Sequence, residues 1–354
     1  MKDREFLAEA IRLAAKGIGN VSPNPMVGAV VVKNGKIIGR GWHKKFGGRH
    51  AEAVALGKAG RKAKGGTLYI SLKPCCHYGK NPPCTEAIIR AGIKKVIYAS
   101  NDPNPIACIG TGKMLKKAGV KIKLIEMEEA LELNKFYFKR QKTGTAFVAL
   151  KAAISLDGKI ADELGKSKWI SSGKSRELVH KMRNEFDAVM VGINTVLKDN
   201  PKLTCRLKGG RNPVRIVLDT RGRIPLGSKL LKQEGLAVIA TTKRAPKAKL
   251  QKLMAVGALP VIVKERNGVV DMQGLMKEIV KMGVQSVLIE GGAGLNSSAL
   301  KAGIVDEYYF FLAPKIMGRG LDVFNGIKLK KMLEFNNAEF QKIGSDVLVK
   351  IKSG

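Results

Sequence analysis

Acidic residues are the first shortage in this chain. Its 354 residues hold 29 Asp and Glu against 64 Lys and Arg, a formal charge of +35 that is spread along the sequence and not gathered in a tail. Such a field attracts any polyanion and speeds the capture of small phosphorylated substrates. It does not choose between them, and a solvated basic surface satisfies it equally. Aromatic residues make up only 5%, which counts against a base-stacking platform for single strands. Cysteines number five, an odd count with only Cys75, Cys76 and Cys84 clustered, so a disulfide framework is excluded and a reducing compartment expected. No apolar run of signal-peptide type opens the chain and none reaches membrane-spanning length, so the expected location is the cytoplasm with no membrane partner. Internal repeats and low-complexity tracts are also missing.

What remains is a globular composition, 45% hydrophobic, at a length that favours two domains with separate cores. Phe6, Leu7, Ala10, Ile11 and Ala14 share one helical face. The two prolines of Val21 to Gly28 exclude helix there. Strands at Ala29 to Lys33 and Lys36 to Gly39 flank Asn34-Gly35, the pair suited to a type I′ hairpin. Helix Ala51 to Ala59, strand Thr67 to Ser71, helix Thr85 to Ala91, strand Val96 to Ala99, a helix near Thr111 to Ala118 and strand Val120 to Ile125 then alternate, which predicts a layered α/β domain. A long helix over Glu128 to Gln141 is expected to dock through Leu131, Leu133 and Phe138. The boundary falls at Lys142 to Thr145, dividing the chain into 1–144 and 145–354. The second half reads as a different α/β unit, with strands at Ala146 to Ile154, Ala188 to Val191, Val214 to Leu218, Leu236 to Ala240, Leu259 to Val263, Ser286 to Ile289, Glu307 to Leu312 and Val347 to Ile351. Its helices are expected at Ser175 to Glu185, Ala248 to Val256, Gln273 to Met282 and Leu295 to Ala302.

The most informative stretch runs from Lys73 to Cys84, read with His50-Ala51-Glu52. A Pro-Cys step after a strand, a second Cys opening a helix, and a His-x-Glu opening the preceding helix are together the parts of a zinc deaminase site. Three ligands leave a fourth position for water, whose pKa the metal lowers to around 7. Glu52 would carry the proton to the departing amine. A structural zinc needs a fourth protein ligand, Cys76 or His77. The side chain of Cys76 diverges from that of Cys75, and a structural site leaves Glu52 without a role. Several residues separate Cys75 from Cys84 where simpler base deaminases have Pro-Cys-x-x-Cys. This insert carries His77 and Lys80, a donor and a cation suited to a substrate larger than a free base.

Ser22 to Gly28, His50-Ala51-Glu52, Pro74 to Cys84 and Asp102-Pro103-Asn104-Pro105 resemble the N-terminal half of the RibD family of bifunctional riboflavin biosynthesis proteins. Ser155 to Lys159, Trp169 to Ser172, Gly192 to Pro201 and Glu290-Gly291-Gly292 resemble its C-terminal half, in the expected order and over nearly the whole chain. The resemblance implies a cytidine deaminase-like three-layer α/β/α domain followed by a dihydrofolate reductase-like α/β domain. It further implies hydrolytic deamination of 2,5-diamino-6-(5-phosphoribosylamino)pyrimidin-4(3H)-one, then NADPH-dependent reduction of the ribosyl arm to ribityl. By the same resemblance His50, Cys75 and Cys84 hold zinc and Glu52 moves protons, while Asn24, His43, His77 and Lys80 contact the deaminase substrate. For His43, an exposed polar residue at a strand end is the competing reading. Ala153, Trp169, Thr195, Asp199, Thr220, Gly292, Ala293, Gly294, Leu295, Asn296, Ser297 and Ser298 fall on NADPH positions. Lys151, Ser167, Arg183, Leu203, Arg206 and Glu290 fall on reductase substrate positions.

From the residues alone, Gly291-Gly292 between a strand and a helix exposes N–H groups to a pyrophosphate, without Rossmann or P-loop spacing. Asp199 is expected in a loop, assisting proton movement. Arg183 and Arg206 are suited to a phosphate. Lys151 in an apolar strand needs a partner or a cleft. Arg221, Lys243 and Arg244 stand open as contacts for a 2′-phosphate. The resemblance also implies a homo-oligomer, a dimer or tetramer, acting on a phosphorylated pyrimidine with no dedicated nucleic-acid partner. The rival reading, prompted by the charge, is a tRNA-type zinc deaminase with an accessory RNA-binding domain. A third is that one half is a catalytically dead scaffold.

Overall fold

The computed structural model describes residues 2–79, 81–329 and 331–353. The chain divides into two compact units, Met1–Gly144 and Thr145–Gly354. The first runs α1 (Asp3–Ala14), β1 (Gly28–Lys33), β2 (Lys36–Trp42), α2 (Ala51–Ala59), β3 (Thr67–Ile70), α3 (Cys84–Arg90), β4 (Lys95–Tyr98), α4 (Pro105–Cys108), α5 (Thr111–Lys117), β5 (Lys121–Leu124), α6 (Glu128–Leu133) and α7 (Lys135–Thr143). Asn34 and Gly35 turn the β1–β2 hairpin with φ of 50° and 71°, the positive values a type I′ turn requires.

The five strands are ordered β2-β1-β3-β4-β5, antiparallel at β2-β1-β3 and parallel at β3-β4-β5. Period-two alternation gives the sheet two apolar faces. Val30, Val32, Tyr69 and Ile97 join Phe6, Leu7 and Leu13 of α1 and Ala130 of α6. Ala29, Val31, Leu68, Ile70 and Val96 join Ala51 and Ala55 of α2, Ile88 of α3 and Leu115 of α5. The result is a three-layer α/β/α unit. Glycine brings α2 close to β2: a Cβ on Gly39 would lie 2.3 Å from the Ala55 carbonyl oxygen, and one on Gly41 would lie 2.3 Å from that of Ala51.

The single helix expected over Glu128 to Gln141 is broken at Asn134. Its buried side chain accepts from Met26 N at 2.8 Å and donates to Met26 O at 2.9 Å. That pairing ties the proline-rich loop to the α6–α7 junction, and Asn134 leaves helical geometry at φ −107° and ψ 19°. Phe138 is buried as expected, but Leu131 is exposed, the apolar contact being made by Ala130 and Tyr137.

The second unit runs β6 (Phe147–Ile154), β7 (Lys159–Asp162), α8 (Gly173–Glu185), β8 (Ala188–Gly192), α9 (Ile193–Asp199), β9 (Val214–Leu218), β10 (Ala237–Thr241), α10 (Lys247–Ala255), β11 (Ala258–Ile262), β12 (Glu265–Arg266), β13 (Val269–Val270), α11 (Met272–Lys281), β14 (Ser286–Ile289), α12 (Ala293–Lys301), β15 (Glu307–Leu312), β16 (Gly320–Asp322), β17 (Ala338–Ile343) and β18 (Asp346–Lys352). Nine strands form one sheet, β11-β10-β9-β8-β14-β6-β15-β18-β17. It is parallel from β11 to β15 and antiparallel at β18 and β17. Buried on both faces, β8, β10 and β14 are continuous apolar runs.

Three features depart from the sequence expectations. Asp199 ends the short helix α9 and does not lie in a loop; Asn200 caps it in the left-handed region at φ 41°, and Pro201 stops it. The pairs β7–β16 and β12–β13 are strands of two to four residues with little apolar periodicity. Strand β17 is exposed at five of its six positions, so it carries no burial pattern.

Candidate active sites

In the first unit the site grows from two helix starts and one loop. His50 is the residue preceding α2, in extended geometry at φ −68° and ψ 154°. Cys84 is the first residue of α3, and Cys75 lies in the loop after β3. The backbone N–H of Cys84 donates to Cys75 Sγ at 3.4 Å and that of Thr85 to Cys75 O at 3.2 Å, so the helix start is fitted onto Cys75. His50 Nδ1 lies 3.1 Å from Cys84 Sγ and 3.6 Å from Cys75 Sγ. All three donor atoms lie within 4.8 Å of one another, and one imidazole with two thiols is a donor set that fits tetrahedral zinc with an open position.

The thiol pair is polarised. Hydrogen bonds accepted from Cys84 and then from His50 hold the Cys75 thiol far below the usual range, while donating to Cys75, together with burial, pushes Cys84 up. Glu52, the second residue of α2, is buried, and desolvation raises its carboxyl pKa against the opposing pull of His50. Cys76 faces elsewhere: its Sγ accepts from Gly110 N at 3.3 Å.

His43 is buried, not exposed at a strand end. Asn24 Nδ2 donates to its Nε2 at 3.2 Å, and its Nδ1–H donates to Arg49 O at 3.1 Å. Burial lowers its pKa, so the ring is held neutral in one tautomer, edge-on to His50 at 5.8 Å between centroids. His77 is half-buried, and its Nδ1 finds no hydrogen-bond partner among the described residues. Lys80 lies outside the described residues. Sequence reasoning passed over Asp102 as a side chain. It is half-buried, accepting from Tyr137 Oη at 2.9 Å and Asn104 N at 2.9 Å, and desolvation raises its pKa.

In the second unit a cleft of about 1210 Å³ opens along the C-terminal ends of the parallel strands, where open α/β sheets carry their ligands. It is lined by Lys151 and Ala153 of β6, by Ser167 and Trp169, by Arg183 of α8, and by Thr195 and Asp199 of α9. Leu203, Arg206 and Thr220 line it too, as do Glu290, Gly292, Ala293, Gly294, Leu295, Asn296 and Ser298. Ser297 is the exception, buried beneath with its hydroxyl donating to Asn325 O at 2.9 Å. Gly291 and Gly292 have φ of 109° and 93°, and a Cβ on Gly292 would meet Thr195 Oγ1 at 2.9 Å. That turn presents the N-terminus of the nine-residue α12, an arrangement that fits a pyrophosphate.

The cleft floor differs from expectation at Arg183. Its Nε donates to Glu290 Oε1 at 2.5 Å and its Nη2 to Oε2 at 2.7 Å, while Nη1 donates to Thr204 O at 2.9 Å. The guanidinium fork that would grip a phosphate is occupied by Glu290, because burial of a carboxylate there demands a paired cation. Lys151 Nζ lies 5.6 Å from the Phe311 ring centre; burial lowers its pKa while Glu290 raises it. Arg176 stacks on Trp169 at 4.5 Å, and His180 lines the same wall. Both escaped sequence reasoning, having no motif.

A model of the RibD C-terminal domain matches residues 146–349, and a model of the cytidine and deoxycytidylate deaminase zinc-binding region matches residues 1–100. The riboflavin biosynthesis protein RibD of Aquifex aeolicus is 42% identical over 354 residues, covering 99% of this chain and 98% of that one. The chain belongs to the RibD family. The Escherichia coli RibD is 36% identical, with 98% of each chain covered. A Thermotoga maritima structure described as a diaminohydroxyphosphoribosylaminopyrimidine deaminase/5-amino-6-(5-phosphoribosylamino)uracil reductase superposes with a TM-score of 0.88 at 39% identity, covering 99% of both chains. Acinetobacter baumannii RibD gives 0.91 at 35%, covering 99% of this chain and 98% of that one. This family member is a bifunctional riboflavin biosynthesis enzyme, a deaminase and a reductase on one chain. That reading is favoured over a nucleic-acid deaminase with an RNA-binding half. No helix among the described residues is long and apolar enough to cross a membrane.

Proposed function

We propose that residues 1–144 hydrolyse the 2-amino group of 2,5-diamino-6-(5-phosphoribosylamino)pyrimidin-4(3H)-one and that residues 145–354 then reduce the ribosyl arm with NADPH. The observation that carries the first step is the convergence of His50, Cys75 and Cys84 within 4.8 Å beside buried Glu52. Zinc held by these three residues supplies the Lewis acidity that makes water nucleophilic near neutral pH. Glu52 takes a proton from the attacking water and delivers it to the amine as the C–O bond forms and the C–N bond breaks. Neutral His43, aligned by Asn24, and His77, whose Nδ1 has no partner among the described residues, orient the pyrimidine. Lys80 is assigned to the phosphorylated arm.

In the second step a nicotinamide cofactor held in the cleft would supply the hydride that reduces the ribosyl arm. The Gly292 to Ser298 turn and helix start, with Ala153, Trp169, Thr195 and Thr220, hold the cofactor; Ser297 supports it from beneath. Asp199, on the cleft wall at the end of α9, assists the proton. Lys151 meets the ribose, Glu290 holds Arg183 as a positioning pair, and Ser167, Leu203 and Arg206 take the rest of the substrate, with Arg206 on its phosphate. We place the enzyme in the cytoplasm, in keeping with five free thiols. We assign it a homo-oligomeric state, a dimer or tetramer, supported by the exposed edge strand β17 and its outward Phe340. Incubation with the diaminopyrimidinone substrate should release ammonia and then oxidise NADPH. Deamination of an RNA without NADPH oxidation would overturn the assignment.

A further inference from the structure

The reductase cleft is lined by many cations and by two carboxylates, Asp199 and Glu290. Glu290 is spent on Arg183. Away from that pair, Arg221 and Arg223 extend the lining beyond β9, next to α9. Their backbone is anchored. Gly222 N donates to Asp219 O at 3.2 Å with Gly222 at φ 68°, closing a turn whose two central residues are Thr220 and Arg221. Asp219 Oδ2 accepts from Ile224 N at 2.7 Å, and Thr220 O accepts from the Thr242 hydroxyl at 2.9 Å. Arg223 Nη2 donates to Asn194 Oδ1 at 3.0 Å, which fixes it against the start of α9. Arg221 has no carboxylate partner among the described residues, so its guanidinium fork is open to a ligand.

Strand order gives this turn its meaning. The Gly291-Gly292 turn follows β14; Ala153 lies on β6, on one side of β14, and β8 and then β9 lie on the other. A cofactor with its pyrophosphate on that turn and its reactive ring beside β6, as proposed above, would send its adenosine end over β8. It would arrive at β9 about 10 Å away, two strand spacings. Of the basic residues left open by the sequence, Lys243 and Arg244 follow β10, one strand further, and neither lines the cleft. Arg244 is also engaged, its Nη1 donating to Glu265 Oε1 at 3.1 Å.

We infer that Arg221, with Arg223 braced by Asn194, recognises the 2′-phosphate of the adenosine ribose and makes this cleft select NADPH over NADH. The inference rests on the reductase reading above and adds the residues that set its cofactor preference. The test is calorimetric binding of 2′,5′-ADP and of 5′-AMP to the full-length enzyme, with no turnover required. The wild type should prefer 2′,5′-ADP. R221A/R223A should weaken 2′,5′-ADP about 10- to 100-fold, the range for losing charge-assisted hydrogen bonds, with 5′-AMP changed less than about threefold. Retained 5′-AMP binding shows that the cleft is still folded. Arg221→Lys, which keeps charge without the fork, should give an intermediate loss. K243A/R244A should match the wild type. If K243A/R244A loses the preference and R221A/R223A keeps it, the assignment is overturned while the cofactor reading stands. A wild type that binds neither 2′,5′-ADP nor NADPH overturns both.

Discussion

The two sites of this enzyme are built on opposite plans. In the first unit the chemistry is concentrated: three donor atoms within 4.8 Å, a buried carboxyl beside them, and a neutral imidazole locked from both ring nitrogens. In the second it is distributed along a cleft of about 1210 Å³ whose walls come from β6, α8, β8, α9, β9, the turn after β14 and α12. The difference follows from the reactions. Hydrolysis of one amino group needs a few polarising atoms at one point. Hydride transfer needs two large ligands held face to face, which calls for length and a cationic wall for their phosphates.

The contrast can be broken at several strengths. Stripping metal with a chelator should abolish deamination, leave NADPH-dependent reduction of pre-deaminated substrate intact, and return activity on zinc addition; equal loss in both assays would mean that the sites are not independent. Glu52→Gln should lower deamination by about 10² to 10⁴-fold, the range for a positioned acid–base group, with zinc content unchanged by elemental analysis. Near-normal deamination in that variant would remove Glu52 from the mechanism. Gly292→Ala places a Cβ against Thr195 Oγ1 in a positive-φ position, so KM for NADPH should rise about tenfold with deamination untouched. A change in deamination and none in KM would contradict the cofactor-turn assignment. The smallest effect belongs to Asn134→Ala, which leaves the Met26 backbone groups without partners and should destabilise the first unit by about 1–3 kcal/mol in denaturant titration. An unaltered midpoint would show that water replaces both bonds.

Legibility followed the same division. His50, Glu52, Cys75 and Cys84 were readable because zinc chemistry accepts few side chains, and helix starts next to strands are where a chain can bring them together. His43 was named only through the family resemblance, with an exposed strand-end residue as the rival, since its burial after β2 depends on Asn24 and Arg49 meeting it from two loops. The long helix over 128–141 had the right composition, but a contact 108 residues away in sequence, Asn134 to Met26, outweighed local propensity. In the reductase half the apolar strands β8, β9 and β14 were found from their runs, whereas exposed β17 and the short pairs β7–β16 and β12–β13 have no period to read.

The sequence alone therefore determined the chemical types on offer: a His-x-Glu and two cysteines suited to zinc, a glycine pair between a strand and a helix, and an excess of cations that by itself selects no ligand. Residue identity and short-range spacing carry that information, because donor chemistry and positive φ are local properties. Only the tertiary structure decided which cations are available. Arg183 is paired with Glu290 and Arg244 with Glu265, while Arg221 lines the cleft with no carboxylate partner among the described residues. Every arginine carries the same charge in the sequence, and it is the order of strands across the sheet that sets which of them meets a carboxylate and which faces a ligand.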